Sequence, residues 1–402
     1  MWSICQNMLM YYSYQNTQKM KKKLLIGVTK SNFGGAQKYV FDLAKNMRDD
    51  FDVTVFFGGQ GQLLKQLEEE KIRSLSIPTI QRDINLFKDI FSFFFLFKVF
   101  LQEKPDIIHL NSSKMVGLGA LAGRMARVPN IILTIHGFPF QEDRGVVWKF
   151  FAQFFSWISI LLSHQTIVVS QNDLTLGQKF PFVKKKIILI YNGIPLSPKL
   201  LLKEEARKEL LPDLHEKYND AFWLGTIAEL HPNKNLASTI QAIASYNTMP
   251  TSWKKILFII IGQGGEERGK LEAIIKKLNL SEAVFLVGPK NEAQRFLLAF
   301  NGFILASKKE GFPTVLLEAG LASLPVIATS IGGIPELIEN EKTGILIEGT
   351  TQEAIGDALK KTLGKSELDL ITLGGRLKEK VEQKFSLDSM VTNTKNIYNR
   401  LK

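Results

Sequence analysis

The chain has 402 residues, of which 45% are hydrophobic and 22% are charged. This composition fits a globular protein large enough for two domain cores, and it excludes long disordered regions. One cysteine in the whole chain excludes a disulfide framework, so we expect a cytoplasmic protein in a reducing compartment.

The net charge of +12 is concentrated in the first half of the chain. Residues 1–200 contain 25 basic and 14 acidic residues, whereas residues 201–402 contain 26 and 25. A basic first half indicates an anionic partner, although ordinary surface lysines give the same excess.

The first 19 residues are polar and tyrosine-rich, without the basic start and apolar core of a signal peptide. The run from Met20 to Gly27 begins with three lysines after the methionine and continues as an apolar strand. We therefore expect residues 1–19 to be an extension with no role in the fold.

Apolar strands alternate with helical segments in both halves, which predicts two parallel sheets covered by helices. The predicted strands of the first half are 23–28, 52–57, 107–110, 131–135 and 165–169. Those of the second half are 222–227, 256–261, 283–287, 302–306, 325–328 and 344–347. A Pro-, Ser- and Lys-rich segment, 195–204, predicts a hinge between domains 20–198 and 199–385. A last helix is predicted for 385–401, within a terminal unit of residues 386–402.

Two segments, 86–101 and 146–163, are unusually aromatic and place their polar residues at helical spacing. Each is short for a membrane span and contains lysine, so neither is predicted to cross a bilayer. They can pack as ordinary helices on the first sheet. Alternatively, part of their apolar face dips into a membrane interface, helped by nearby basic residues. Both interpretations remain open.

Several loops follow the carboxyl ends of predicted strands, where open parallel sheets bind their ligands. The candidate groups in the first four are Gly34 with Gly35, His136, Lys234, and Gly262 with Gly264. Glycines let the backbone approach a phosphate or sugar closely, although tight turns require them as well. A histidine at a strand end can donate to a sugar hydroxyl, although a lone histidine is more often structural.

The fifth loop, Glu310-Gly-Phe-Pro-Thr-Val-Leu-Leu-Glu318, gives the most specific signal. A helix is predicted for 314–323, with Pro313 in its first turn. Free N–H groups at that helix start can bind an anion such as a diphosphate. Glu310 and Glu318 would flank the phosphates and accept hydrogen bonds from sugar hydroxyls. The alternative is a glutamate pair on a solvated helix start, which the helix dipole favours.

This loop, the following residues to Glu336 and the stretch Thr343-Gly-Ile-Leu-Ile347 together resemble the donor-site signature of glycosyltransferase family 4. The resemblance runs in collinear order from about Lys22 to Leu401. Members of that family are retaining, nucleotide-sugar-dependent enzymes of the GT-B fold. The resemblance implies two Rossmann-like α/β domains facing a cleft, with a last helix that returns to the first domain.

The resemblance also implies roles for individual residues. It implies that Glu310 and His136 are catalytic and that Glu318 binds the ribose. The other donor-binding residues it implies are Gly34, Gly35, Lys234, Gly262, Gly264, Lys290, Gly311, Phe312, Pro313, Thr314 and Val315. The chain departs from the family at Glu229, where an arginine usually helps to neutralise the donor diphosphate.

The implied function is transfer of a hexose from a nucleotide-diphosphate donor, with UDP as the default. The acceptor would be an envelope glycan, a glycolipid or a lipid-linked glycan, reached at the inner face of the membrane. We expect no cofactor and no metal, because the sequence lacks His/Cys metal-ligand spacing. A nucleotide-sugar epimerase of the same fold is the alternative enzyme.

Two other functions fit the sequence less well. A basic nucleic-acid-binding protein would leave the glycine loops and paired glutamates unexplained, so no nucleic-acid partner is expected. The glycines between Gly117 and Gly123 imitate a dinucleotide fingerprint. They lie within a helical run, however, and the next strand ends in His136 rather than an acidic residue.

Overall fold

Each half of the chain forms one parallel β-sheet. The computed structural model describes residues 21–401 except 33, 78–79, 81–85 and 250–253, so the predicted extension at 1–19 lies outside the described residues. Both sheets are covered by helices, which confirms the expected pair of Rossmann-like α/β domains.

The first sheet has the strand order β3-β2-β1-β4-β5-β6-β7. Its strands are β1 (Lys22–Lys30), β2 (Phe51–Gly58), β3 (Arg73–Ser76), β4 (Ile107–Asn111), β5 (Asn130–Ile135), β6 (Gln165–Val168) and β7 (Ile187–Leu189). Strands β3 and β7 were not predicted. The sequence of β3, RSLS, lacks the pattern of a buried strand, and β7 is apolar but only three residues long after a run of lysines.

The second sheet has the strand order β10-β9-β8-β11-β12-β13, and all six strands were predicted. They are β8 (Phe222–Ile227), β9 (Ile256–Ile261), β10 (Val284–Gly288), β11 (Gly302–Leu305), β12 (Val326–Thr329) and β13 (Ile345–Ile347). Strands β9, β11 and β12 are entirely buried, as expected for a parallel sheet with helices on both faces. In each sheet the strand order reverses beside the domain's first strand, which leaves a crevice at the carboxyl ends.

The α-helices of the described residues are α1 (Gly35–Met47), α2 (Gln62–Glu69), α3 (Leu86–Glu103), α4 (Ser113–Met125), α5 (Val146–Leu162), α6 (Gln171–Gly177), α7 (Lys203–Leu210), α8 (Leu236–Asn247), α9 (Glu266–Lys277), α10 (Thr314–Leu321), α11 (Ile334–Leu337), α12 (Gln352–Leu363), α13 (Glu367–Lys384) and α14 (Leu387–Arg400). Helices α1, α2 and α14 pack on one face of the first sheet, and α3 and α4 pack on the other. Helix α5 lies beside α4. Within the described ranges, none of these helices has both the length and the apolar character required to cross a bilayer.

The last helix, α14, packs against the first domain. It begins at Leu387, two residues later than predicted, because the Ser386 side chain caps its start. Three of its side chains, Met390, Ile397 and Tyr398, are buried in the core of the first domain. Helix α14 therefore belongs to the core of the first domain, although it follows the second domain in sequence.

Candidate active site

The loop after β11 holds Glu310 at the carboxyl edge of the second sheet. Lys234 Nζ donates a hydrogen bond to Glu310 Oε1 at 2.6 Å, and Ser307 Oγ donates to the same oxygen at 2.7 Å. The Glu310 side chain is only 11% exposed. In the part of the chain that the structure describes, no hydrogen bond reaches its second oxygen, Oε2. That oxygen can accept a hydrogen bond from a ligand hydroxyl.

The first domain and this loop meet at two glycines, Gly137 of the first domain and Gly311 of the loop. Gly137 follows His136 after β5 and has a φ of +103°, a conformation that favours glycine. A Cβ added to Gly137 would lie 3.2 Å from Gly311 Cα, and one added to Gly311 would lie 2.5 Å from the carbonyl oxygen of His136. The two backbones therefore touch, and there is no room for a side chain at Gly311.

The His136 ring is held beside this contact in its neutral form. Its Nε2 lies 3.1 Å from Asn111 Oδ1, at the end of β4. The Tyr39 ring packs edge-on against it, with ring centroids 4.9 Å apart. Burial lowers the pKa of His136 to about 4, so the ring is uncharged at neutral pH. Because Asn111 Oδ1 accepts, Nε2 carries the proton and Nδ1 presents a lone pair.

A second histidine, His109, lies in a buried network behind this site. Its Nε2 is 2.6 Å from Thr134 Oγ1, and its Nδ1 is 2.5 Å from the Tyr398 hydroxyl. Burial lowers the pKa of His109 to about 3, so this ring is neutral as well. The network joins β4, β5 and α14, and it fixes the strand that carries His136.

Glu318 lies in α10 on the second domain. Helix α10 spans Thr314–Leu321, so Pro313 is its N-cap rather than part of its first turn, and the helix ends two residues earlier than predicted. Burial raises the pKa of Glu318 to about 7, and the charge of Lys38 in α1 opposes this shift whereas that of Asp42 adds to it. Lys38 and Asp42 pair with each other at 3.1 Å. A carboxyl group that titrates near neutrality therefore faces the first domain.

Three polar contacts also join the domains. The Glu336 carboxylate accepts hydrogen bonds from the N–H groups of Gln171 and Asn172 at 2.8 and 3.0 Å. Lys309 Nζ donates to Glu142 Oε1 at 3.3 Å. Asn192 Nδ2 donates to the Phe312 carbonyl at 2.8 Å. The carboxylate of Glu336 lies at the start of α6, where the helix dipole favours negative charge. No role of Glu336 is predicted from the sequence, because a glutamate in a surface motif carries no sign of its partner in the other domain.

Packing requires glycine in one of the two predicted glycine loops but not at Gly35 in the other. Gly34 and Gly35 are exposed, and a Cβ added to Gly35 would meet open space among the described atoms. The fold therefore does not require glycine at position 35, which leaves close approach of a ligand as a reason for it. A Cβ on Gly262 would overlap the Ala228 carbonyl, and one on Gly264 would overlap Leu230. Packing against the neighbouring loop therefore explains these two glycines.

The predicted charged residues of the second domain differ in whether they lie at Glu310. Lys234 is paired with Glu310, whereas Lys290 donates to the Glu209 carbonyl at 3.3 Å, away from that pair. Glu229 is exposed, and among the described residues it forms no ion pair. Lys234 is therefore the cation in direct contact with Glu310, and the N–H groups at the start of α10 follow four residues later, where Thr314 is partly exposed.

Two family models match the chain. The model "Glycosyltransferase Family 4" matches residues 33–198, and "Glycosyl transferases group 1" matches residues 208–371. The chain is 30% identical over 369 residues to an Escherichia coli protein, UDP-Gal:alpha-D-GlcNAc-diphosphoundecaprenol alpha-1,3-galactosyltransferase, covering 89% of this chain and 91% of the relative. It is 25% identical to the capsular polysaccharide biosynthesis glycosyltransferase CapM of Staphylococcus aureus, covering 84% and 87%.

Solved structures share the whole two-domain arrangement. Anabaena HepE in complex with UDP and glucose superposes with a TM-score of 0.79 at 20% identity, covering 94% of this chain and all of that one. Sucrose-phosphate synthase from Thermosynechococcus elongatus gives 0.77 at 19% identity, covering 95% and 99%. These similarities confirm the expected GT-B fold.

Proposed function

Because the chain belongs to glycosyltransferase family 4, we propose that it moves a hexose from a UDP-sugar to a lipid-linked or polysaccharide acceptor of the cell envelope, with retention of configuration. Hexosyltransferase-type activity follows from the family. The donor, the acceptor and the stereochemistry are the proposal.

The observation that carries the proposal is Glu310, held by Lys234 and Ser307 directly beside the His136–Gly137 step. A donor sugar bound beside this backbone contact would meet the free oxygen of Glu310 from one domain and the His136 ring from the other. Glu318 would accept hydrogen bonds from the ribose hydroxyls. The exposed Gly34–Gly35 loop would let the first domain approach the diphosphate closely.

In the proposed reaction, the bond between sugar C1 and the diphosphate oxygen breaks. The acceptor oxygen bonds to C1 on the same face, and its proton passes to a phosphate oxygen of the leaving group. Lys234 and the N–H groups at the start of α10 would stabilise the negative charge that develops on the diphosphate. Neutral His136 would orient a sugar hydroxyl through the Nδ1 lone pair.

The acceptor class rests on the relatives. The Escherichia coli relative is named for a diphosphoundecaprenol-linked acceptor and a UDP-galactose donor, and the Staphylococcus aureus relative is named for capsular polysaccharide. A lipid-linked acceptor would bring this enzyme to the inner face of the cytoplasmic membrane.

A donor screen tests the proposal. The chain is incubated with UDP-glucose, UDP-galactose, UDP-N-acetylglucosamine and GDP-mannose, and both the unfolding temperature and the release of nucleoside diphosphate are measured. We expect one UDP-sugar to raise the unfolding temperature and to release UDP when an undecaprenyl-diphosphate sugar is added. Conversion of the donor sugar without an acceptor would instead indicate the epimerase. Absence of both stabilisation and release with all donors would overturn the assignment.

A further inference from the structure

The outer surface of α3, α4 and α5 is unusually apolar for a protein exposed to water. These helices lie side by side, α3 against α4 and α4 against α5. Fourteen of the nineteen large apolar side chains exposed among the described residues belong to them. They are Phe87, Ile90, Phe91, Phe94, Phe95, Leu101, Leu121, Met125, Val146, Val147, Phe150, Phe151, Phe154 and Phe155, here called the phenylalanine face. An exposed patch of this kind marks an interaction surface.

The phenylalanine face begins at the edge of the catalytic cleft. Helix α4 starts two residues after Asn111, the partner of His136, and α5 starts four residues after Glu142, which contacts Lys309 beside Glu310. The most exposed side chains of the face lie near these ends. Val146, 84% exposed, begins α5, and Phe87, 78% exposed, is the second residue of α3, whose Asp89 pairs with Lys114 at the start of α4. A molecule bound to the face therefore lies next to the entrance of the site.

The charges around the face are mostly basic, and the exposed Asp143 just before α5 lies 3.9 Å from Lys149. The three helices contain two acidic residues, Asp89 and Glu103, and both are in ion pairs. A neighbouring loop presents Phe182, 91% exposed, between exposed lysines. The bond from Trp157 Nε1 to the Pro181 carbonyl, 3.0 Å long, fixes this loop beside α5.

The lysines of this rim are available for an anionic partner. They are Lys98, Lys179, Lys184 and Lys185, all exposed, and within the described ranges none of them forms an ion pair. A two-fold dimer would bring identical faces together, so their basic rims would repel each other. An anionic bilayer offers both an apolar interior for the phenylalanines and negative headgroups for the lysines.

We propose that the phenylalanine face docks on an anionic phospholipid membrane. Helices α3 and α5 then lie in the membrane interface, and the entrance of the cleft lies at the membrane surface. A lipid-linked acceptor would then present its sugar to Glu310 while its lipid stays in the bilayer. Membrane binding stands on the surface alone, whereas the route of the acceptor rests on the proposed function.

Vesicle sedimentation of the full chain tests this inference. We compare phosphatidylcholine vesicles with vesicles containing about one third phosphatidylglycerol. The variant Phe87→Ser/Phe91→Ser/Phe150→Ser removes three phenylalanines of the face. The control Leu368→Ser/Ile371→Ser removes two apolar side chains, 73% and 61% exposed, from α13 of the second domain.

We expect the native chain and the control to bind anionic vesicles, and to bind neutral vesicles at least about tenfold more weakly. The triple variant should bind anionic vesicles at least about tenfold more weakly than the control, because it loses three interfacial side chains. A native chain that stays in the supernatant, or a triple variant that binds as tightly as the control, would overturn the proposal. So would a dimer in light scattering that the triple variant abolishes without any vesicle binding.

Donor turnover separates this outcome from failure of the proposed function. The triple variant should hydrolyse the nucleotide sugar in buffer at the native rate and lose transfer only to an acceptor embedded in vesicles. A chain that binds vesicles but turns over no donor would refute the enzyme assignment and leave the docking surface intact.

Discussion

Replacing Glu318 by Gln should stabilise the protein above neutral pH while weakening donor binding. An ordinary glutamate has a pKa of 4.5, whereas burial raises that of Glu318 to about 7. Between these values the folded state holds a proton that the unfolded state has released. The stability from the protonated carboxyl is therefore complete below pH 4.5 and is lost as the pH rises through 7.

The difference between the two pKa values corresponds to at most about 3 kcal/mol. Because Glu318 keeps some exposure, solvent screening reduces the effect, and we take about 1–2 kcal/mol. That energy raises the unfolding temperature of a domain of this size by about 2–8 °C. Gln carries no titrating group, so the gain should appear at pH 8 and vanish near pH 4.5.

Differential scanning calorimetry at both pH values measures this gain, with Glu348→Gln, an exposed residue of the same domain, as the control. Binding of UDP is measured on the same samples. Loss of a carboxylate that accepts from the ribose should weaken binding about 10- to 100-fold at pH 8. An unfolding temperature that follows pH identically in Glu318→Gln and the native chain would refute the assigned burial, and unchanged UDP affinity would refute the ribose contact.

Three further substitutions probe the cleft. Glu310→Ala should lower kcat at least about 100-fold in a coupled UDP-release assay, and unchanged transfer would exclude Glu310 from the reaction. Gly311→Ala should lower transfer about as much as Glu310→Ala does, because the new Cβ meets the His136 carbonyl of the other domain. The unfolding temperature of the second domain itself should stay unchanged. Glu336→Ala removes the carboxylate that caps α6, at a cost of about 1–2 kcal/mol to the closed arrangement. Small-angle scattering should then show a larger radius of gyration, whereas Glu339→Ala, which breaks an ion pair within the second domain, should not change it.

The sequence predicts the sheets well because most strands are buried on both faces and consist of continuous apolar runs. Of the two strands it misses, β3 contains too few apolar residues to stand out, and β7 is only three residues long. Helix limits depend on single capping contacts, such as the Ser386 side chain that starts α14, and hydrophobic spacing does not resolve them.

The site is less predictable than the fold. Strand ends correctly indicate where His136, Lys234 and Glu310 lie, because parallel strands bring their carboxyl ends to one edge. The Asn111 partner of His136 was missed because the predicted strand ended one residue too early. Contacts between domains, such as that of Glu336, depend on how two separately folded units face each other, which no local pattern records.

Glu229 gives the Lys234–Glu310 pair a particular significance. With a carboxylate where the family usually has an arginine, Lys234 would be the main side-chain cation for the diphosphate, and Glu310 already pairs with it at 2.6 Å. An arriving diphosphate would compete with Glu310 for Lys234. Because one carboxylate partner is exchanged for another anion, the partly buried lysine keeps an anionic partner throughout, and the exchange avoids the cost of an unpaired charge. The same exchange would release Glu310 Oε1 for a sugar hydroxyl. We infer that Lys234 neutralises the leaving group in the same step in which Glu310 Oε1 becomes free for the sugar hydroxyl. The variant Lys234→Met should therefore weaken both UDP binding and sugar transfer.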